Sequence, residues 1–94
     1  MKTFVIAGTY AQGMAWVRQN ISDYVATHGG WRSLSDYVIV KDAISLKGYS
    51  NPHGVFVGTW RDRKDIKDIV VGIHLQSAGT NVAIKNIMTE LGII

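Results

Sequence analysis

Trp60-Arg61-Asp62-Arg63-Lys64, with Lys67, is the densest charged stretch of the chain. An arginine can grip phosphate or carboxylate through two parallel bonds, and a tryptophan can stack on a base or a guanidinium. The stretch follows Val55-Phe56-Val57-Gly58-Thr59, an apolar run closed by Gly-Thr and a large aromatic. The same grammar opens the chain, where Val5-Ile6-Ala7 leads into Gly8-Thr9-Tyr10. Both copies read as buried strands that turn sharply into helices. The turns place backbone N–H groups where an anion can meet them. The competing reading is that Gly8 and Gly58 only permit the turns and that Thr9 and Thr59 are caps.

Known phosphate motifs are incomplete. Gly8 to Gly13 has the glycine spacing of a phosphate loop, but Met14 and Ala15 stand where Lys and Ser or Thr are required. The dinucleotide fingerprint is missing too. Asp42 follows the second strand, where dinucleotide-binding folds place an acid for the ribose, and reads equally as a turn residue. Asp42 and Asp62 are the one acid–base pair that could meet at the strand ends. His28, His53 and His74 lack the spacing of metal ligands, and no serine sits in a nucleophile elbow. No catalytic residue, metal or cofactor is assigned.

Arg61 and Arg63 are expected at a helix N-terminus, with Asp62 as its cap and Asp65 in the capping-box place. The macrodipole disfavours cations there unless an anion is near, which points to an anionic partner. A solvated helix start, with Asp62 and Asp65 compensating, explains the same charges.

The elements that must position these residues follow from periodicity. Thr3 to Ala7 is the first strand. Ala11, Met14, Ala15, Val17 and Ile21 mark an amphipathic helix, stopping at Asn20 with a second piece over 23–27, or continuous to His28. Gly13 inside it calls for a close neighbour, either the sheet or a ligand. Trp31 to Asp36 is a polar connector. Tyr37 to Val40 is the second strand, ended by Lys41-Asp42, and 43–48 makes one helical turn. Tyr49 to Gly54 is turn chemistry, and Val55 to Val57 is the third strand. Ile66, Ile69, Val70 and Ile73 form a helical stripe ended by Gly79. Thr80 or Asn81 caps a last helix with the face Ile84, Ile87, Met88 and Leu91, before the apolar tail Ile93-Ile94.

The order β-α-β-β-α-α predicts an α/β fold. It is a minimal three-layer Rossmann-like domain over 1–94, with a three-stranded parallel sheet of order 2-1-3 flanked by helices. Ligands of such sheets sit outside the carboxyl ends of the strands, where the order reverses. That crevice would hold Gly8, Thr9, Tyr10, Gln12, Asp42, Gly58, Thr59, Trp60, Arg61 and Arg63.

Composition bounds the function. Of 94 residues, 47% are apolar and 18% charged, which is globular rather than disordered. There is no cysteine, so disulfides and thiolate metal sites are excluded. No apolar run nears the roughly 20 residues of a membrane span. The N-terminus lacks a signal-peptide layout, so an intracellular protein without membrane contact is the expectation. A net charge of +3 permits a nucleic-acid, phosphate or acidic partner without demanding one. Ile93, Ile94, Trp31 and the last helix exceed what a small core needs, and a three-stranded sheet leaves two edges, so self-association is expected.

Two resemblances bear on this. Ser77-Ala78-Gly79-Thr80 and the opening Ala7-Gly8 resemble turns of nucleoside deoxyribosyltransferases. That family's Glu nucleophile has no counterpart among Asn81, Val82, Ala83 and Ile84, so the activity does not carry over. More broadly, Asn51-Pro52 and Val55 to Arg63, then Asp65-Ile66 and Ile69, resemble small uncharacterised proteins of bacteriophages, notably those of actinobacterial hosts. The opening Ala7-Gly8, the Tyr37-Val38 strand and the Leu46-Lys47-Gly48 turn share the pattern, up to about Ile73. The stretch 21–35 is longer here and the last helix lies outside the likeness. The resemblance implies a phage product acting in a bacterial cytoplasm, where small phage proteins of this kind often bind a host component.

Two functional readings result. The preferred one is a non-catalytic phage accessory protein that binds a host macromolecule, a host protein foremost, and self-associates as a homo-oligomer. Trp60, Arg61, Arg63 and the apolar C-terminus would carry it. The alternative is a nucleotide or phosphate ligand at the strand ends, held by Gly8, Thr9, Tyr10, Gly58, Thr59 and Arg61.

Overall fold

The structure is a computed structural model and describes residues 2–46, 48–49 and 52–94. The expected turns at Leu46-Lys47-Gly48 and across Ser50-Asn51 thus lie partly outside the described residues. Strand β1 (Thr3–Ala7) leads into helix α1 (Tyr10–His28), then β2 (Tyr37–Ile39), β3 (His53–Val57), α2 (Ile66–Gln76) and α3 (Val82–Glu90). Short 3₁₀ turns occupy Leu34–Asp36, Ala43–Leu46 and Trp60–Asp62.

The sheet is parallel with order β2-β1-β3, as the β-α-β-β-α-α pattern requires. Thr3 pairs with Tyr37 on one side and His53 on the other, which brings the carboxyl ends of all three strands to one rim. β1 is central, so its side chains alternate between two cores. Phe4 and Ile6 face Ile66, Ile69, Val70 and Ile73 of α2 and Ile84 and Met88 of α3. Val5 and Ala7 face Val17 of α1, together with Tyr37. Helices therefore cover both faces.

Helix α1 is one piece. Asn20 does not stop it, because its side-chain oxygen accepts from the Tyr37 hydroxyl instead of competing for its own backbone. Gln19 donates to Asp23 one turn on, at 2.8 Å. The helix ends at Gly29, whose φ of 66° is the left-handed conformation of a C-cap. Gly13 has the sheet as its close neighbour: a Cβ there would lie 3.1 Å from Ile39 Cγ2 and 3.5 Å from Ala7 Cβ.

Three boundaries differ from expectation. β2 stops at Ile39, one residue early, because the Val40 carbonyl accepts from Arg63. β3 begins at His53, so His53-Gly54 is strand rather than turn. Gly54 pairs with Phe4, and a side chain there would press on Ile6 and Ile73. Asp62 does not cap a helix. It closes the 3₁₀ turn Trp60–Asp62, and α2 starts only at Ile66. Asn81 caps α3 by accepting from the Ile84 N–H at 3.2 Å, and Thr80 instead bonds the Ser77 carbonyl. Ile93 packs on the α2–α3 core, while Ile94 and Trp31 are exposed. Among the described residues no helix is long and apolar enough to cross a membrane.

The turn after β1 has no spare room. A Cβ on Gly8 would lie 2.0 Å from Thr59 Oγ1 and 2.6 Å from the Thr59 carbonyl oxygen. Gly8→Ala should therefore destabilise the protein by about 2 kcal/mol or more, as overpacking does when the neighbour includes backbone. Gly30→Ala, where nothing lies within 4 Å, should stay within about 0.5 kcal/mol. Urea-denaturation midpoints of the two variants check this, and equal midpoints would contradict it.

Candidate functional site at the carboxyl ends of the strands

The two Gly-Thr turns do meet, and Gln12 joins them. Thr9 and Gln12 form a reciprocal capping box at the start of α1: the Gln12 N–H donates to Thr9 Oγ1, and the Thr9 N–H donates to Gln12 Oε1, each at 3.2 Å. The same Gln12 Oε1 accepts from the Thr59 N–H and from Thr59 Oγ1, both at 3.1 Å. Gly58 makes this possible. Its φ is 60°, and a Cβ would sit 2.5 Å from Gln12 Oε1. The turn amides of Thr9 and Thr59 are thus held by the protein's own amide side chain.

Arg63 lies across the carboxyl ends of β1 and β2. Its Nη1 donates to the carbonyls of Ala7 at 3.0 Å and Val40 at 2.9 Å. Its Nη2 donates to the Lys41 carbonyl at 2.8 Å and to Asp65 Oδ2 at 3.1 Å, and its Nε donates to Asp65 Oδ1 at 2.9 Å. Those bonds use every N–H a guanidinium has. The arginine side chain is 12% exposed. It is a brace across the ends of the two strands, and its grip on Asp65 is bidentate. Asp65 sits just before α2 but makes no cap bond, because Arg63 holds both its oxygens. The hydrogen bonds from Arg63 lower the Asp65 pKa, helped by the arginine charge, against burial, which raises it.

Above this brace lies a cleft of about 380 Å³. Gly8, Thr9, Tyr10 and Arg63 line it, joined by Lys41 and Lys64. Tyr10 is 64% exposed and stands at its mouth. The remaining expected residues lie elsewhere. Asp42 accepts from the Ser45 N–H at 3.2 Å and so caps the 3₁₀ turn after β2. Trp60 is in the α2–α3 core, its ring 4.8 Å from that of Phe56. Arg61 lies over the Trp60 ring at 4.2 Å and bonds Glu90 at 2.8 Å. Both partners of that pair are about half exposed, so it adds little stability. Gly58 and Thr59 sit on the β3 side, in the Gln12 lock.

Charge at the cleft is positive. Lys41 and Lys64 are exposed, Asp65 is neutralised by Arg63, and the first turn of α1 holds no acid. Among the described residues no three His, Asp or Glu side chains are grouped to hold a metal. Sequence reasoning placed Gln12 at the crevice without a role. The signal was there: Thr9-Tyr10-Ala11-Gln12 has capping-box spacing. Lys41 has the sequence context of a strand terminator, and no local pattern marks it as lining a cleft.

Two expectations follow from the brace. Arg63→Lys keeps the charge but not the fork, leaving strand-end carbonyls unbonded, and should cost about 3 kcal/mol in chemical denaturation; a loss under about 1 kcal/mol would contradict the bracing role. Because the folded-state pKa of Asp65 is lowered, its contribution is complete above the ordinary value of 3.8 and disappears as pH falls through the lowered value. Asp65→Asn should thus be less stable than the parent at pH 7, with the gap closing under acid. A gap that is constant with pH would refute the linkage.

Comparison with protein-family models, with curated proteins and with solved structures returns no match to this chain.

Proposed function

We propose that the chain is a non-catalytic binding protein, a phage accessory product that docks on a macromolecule of its bacterial host. One observation carries the reading. Polar groups that a phosphate or catalytic site would use at the strand ends are bonded within the chain: the Thr9 and Thr59 amides to Gln12, and the whole of Arg63 to Ala7, Val40, Lys41 and Asp65. Large apolar side chains stand free instead. Tyr10 is 64% exposed, Leu34 57% and Trp31 86%. Exposed aromatics of this kind serve as anchors at interfaces. The reading includes self-association, supported by the outer edge of β3, which among the described residues pairs with β1 alone, and by the exposed Ile94.

A second reading, a nucleotide or phosphate in the cleft, is favoured by Lys41 and Lys64 beside the first turn of α1. A melting temperature raised by millimolar ATP or inorganic phosphate would place it ahead of the first.

The deciding experiment is capture from bacterial lysate on the immobilised chain. The wild type should retain a partner, and Tyr10→Asp and Leu34→Glu should each reduce the yield about tenfold, the scale of an interface anchor. Arg61→Ala should leave it unchanged. Loss in Arg61→Ala with retention in the other two would move the interface to the Trp60–Arg61 side, and a wild type that retains nothing would sink the reading.

A further inference from the structure

The cationic cleft is not isolated. An apolar depression of about 290 Å³ adjoins it, lined by Met14 and Val17 of α1, Leu34, and Tyr37 of β2. Tyr10 and Ile39 line both. The two together make one groove along α1 and the outer side of β2, apolar at one end and positive at the other. Among the described residues β2 pairs with β1 alone. Backbone groups alternate sides along a strand, and the Val40 N–H is turned inward to the Val5 carbonyl at 2.9 Å. The N–H and carbonyl of Ile39 therefore point to the open edge.

We propose that this groove takes an extended segment of a partner protein in which acidic residues adjoin aliphatic or aromatic ones. The inference rests on the reading of the chain as a binding protein and names the chemistry of its partner. Apolar side chains of the segment lie over Met14, Leu34 and Tyr37. Its carboxylate sits between Lys41 and Lys64, where Asp65, the one acid among the described residues lining the cleft, is neutralised by Arg63. Its backbone bonds Ile39 as an added strand. Charge selects this occupant. A second copy of the chain brings its own +3 to a positive surface. A nucleic acid needs a longer run of cations than two lysines, and the apolar end, lined by Met14, Val17 and Leu34 with Tyr10 and Tyr37, holds no cation.

The test is selection of a yeast-displayed random dodecapeptide library on the purified chain, followed by anisotropy titration of an enriched peptide. Enriched sequences should pair Asp or Glu with Leu, Ile or Phe. Leu34→Glu and the double variant Lys41→Glu/Lys64→Glu should each weaken binding by about tenfold or more. All three positions are exposed, so the variants should fold, which circular dichroism verifies. A peptide with its acids changed to Lys should regain binding on the double variant. Enrichment of basic or unbiased sequences, affinity unchanged in the variants, or displacement by labelled oligothymidine would each overturn the proposal. Should no sequence enrich while lysate capture still depends on Tyr10 and Leu34, the peptide groove falls and the broader reading stands.

Discussion

A single guanidinium holds the ends of this sheet. Arg63 reaches back from the segment after β3 to the last residue of β1 and to two residues just past β2. Strand ends are where a parallel sheet has unmet carbonyls, and three of them converge on one side chain. The arginine is then neutralised by Asp65, two residues along the chain. Desolvating a lone charge there would be costly. Pairing it, with all its protons in use, makes burial tolerable and ties the start of α2 to the sheet. The junction of β1 with β2 and the position of one helix thus depend on a local Arg-x-Asp spacing.

On the other side of β1 a neutral group does the equivalent work. Gln12 offers one carbonyl oxygen to Thr9 and to both donors of Thr59. This explains why both strands end in Gly-Thr. Gly8 has no room for a side chain against Thr59, and Gly58 has none against Gln12. The glycines belong to the contact between the two turns. Rossmann-like sheets leave this rim open for ligands; here an arginine and a glutamine close much of it from within.

The layers were legible because they rest on periodicity. Alternation along β1 and the spacing of Ile66, Ile69, Val70 and Ile73 recur as the two cores. The strand order followed from the β-α-β connection. What escaped was long-range polar chemistry. Asp62 looked like a cap because local spacing shows an acid before a helical stripe and cannot show which acid an arginine will claim. His53-Gly54 has the composition of a turn, yet Gly54 lies in the strand, where a side chain would press on Ile6 and Ile73. Trp60 in a basic run resembles a stacking platform, and only the fold reveals that it fills the core beside Phe56. Asn20 looked like a helix stop because its acceptor, the Tyr37 hydroxyl, is supplied from beyond the helix.

The same facts bear on where binding can occur. Residue types suited to anions cluster around Gly58 to Arg63, but that half of the rim is the more heavily committed. Trp60 is buried, Arg63 is fully bonded, and Arg61 lies between Trp60 and Glu90. The half around Tyr10 has the plainer sequence and the freer surface. Its helix begins with no acid, its aromatic stands out at the mouth of the cleft, and the lysines beside it are exposed. A rim braced from one side can stay rigid while the other side engages a partner. Rigidity lowers the ordering cost of association, so on the proposed reading the bonds that occupy Arg63 also hold the neighbouring face ready for a partner.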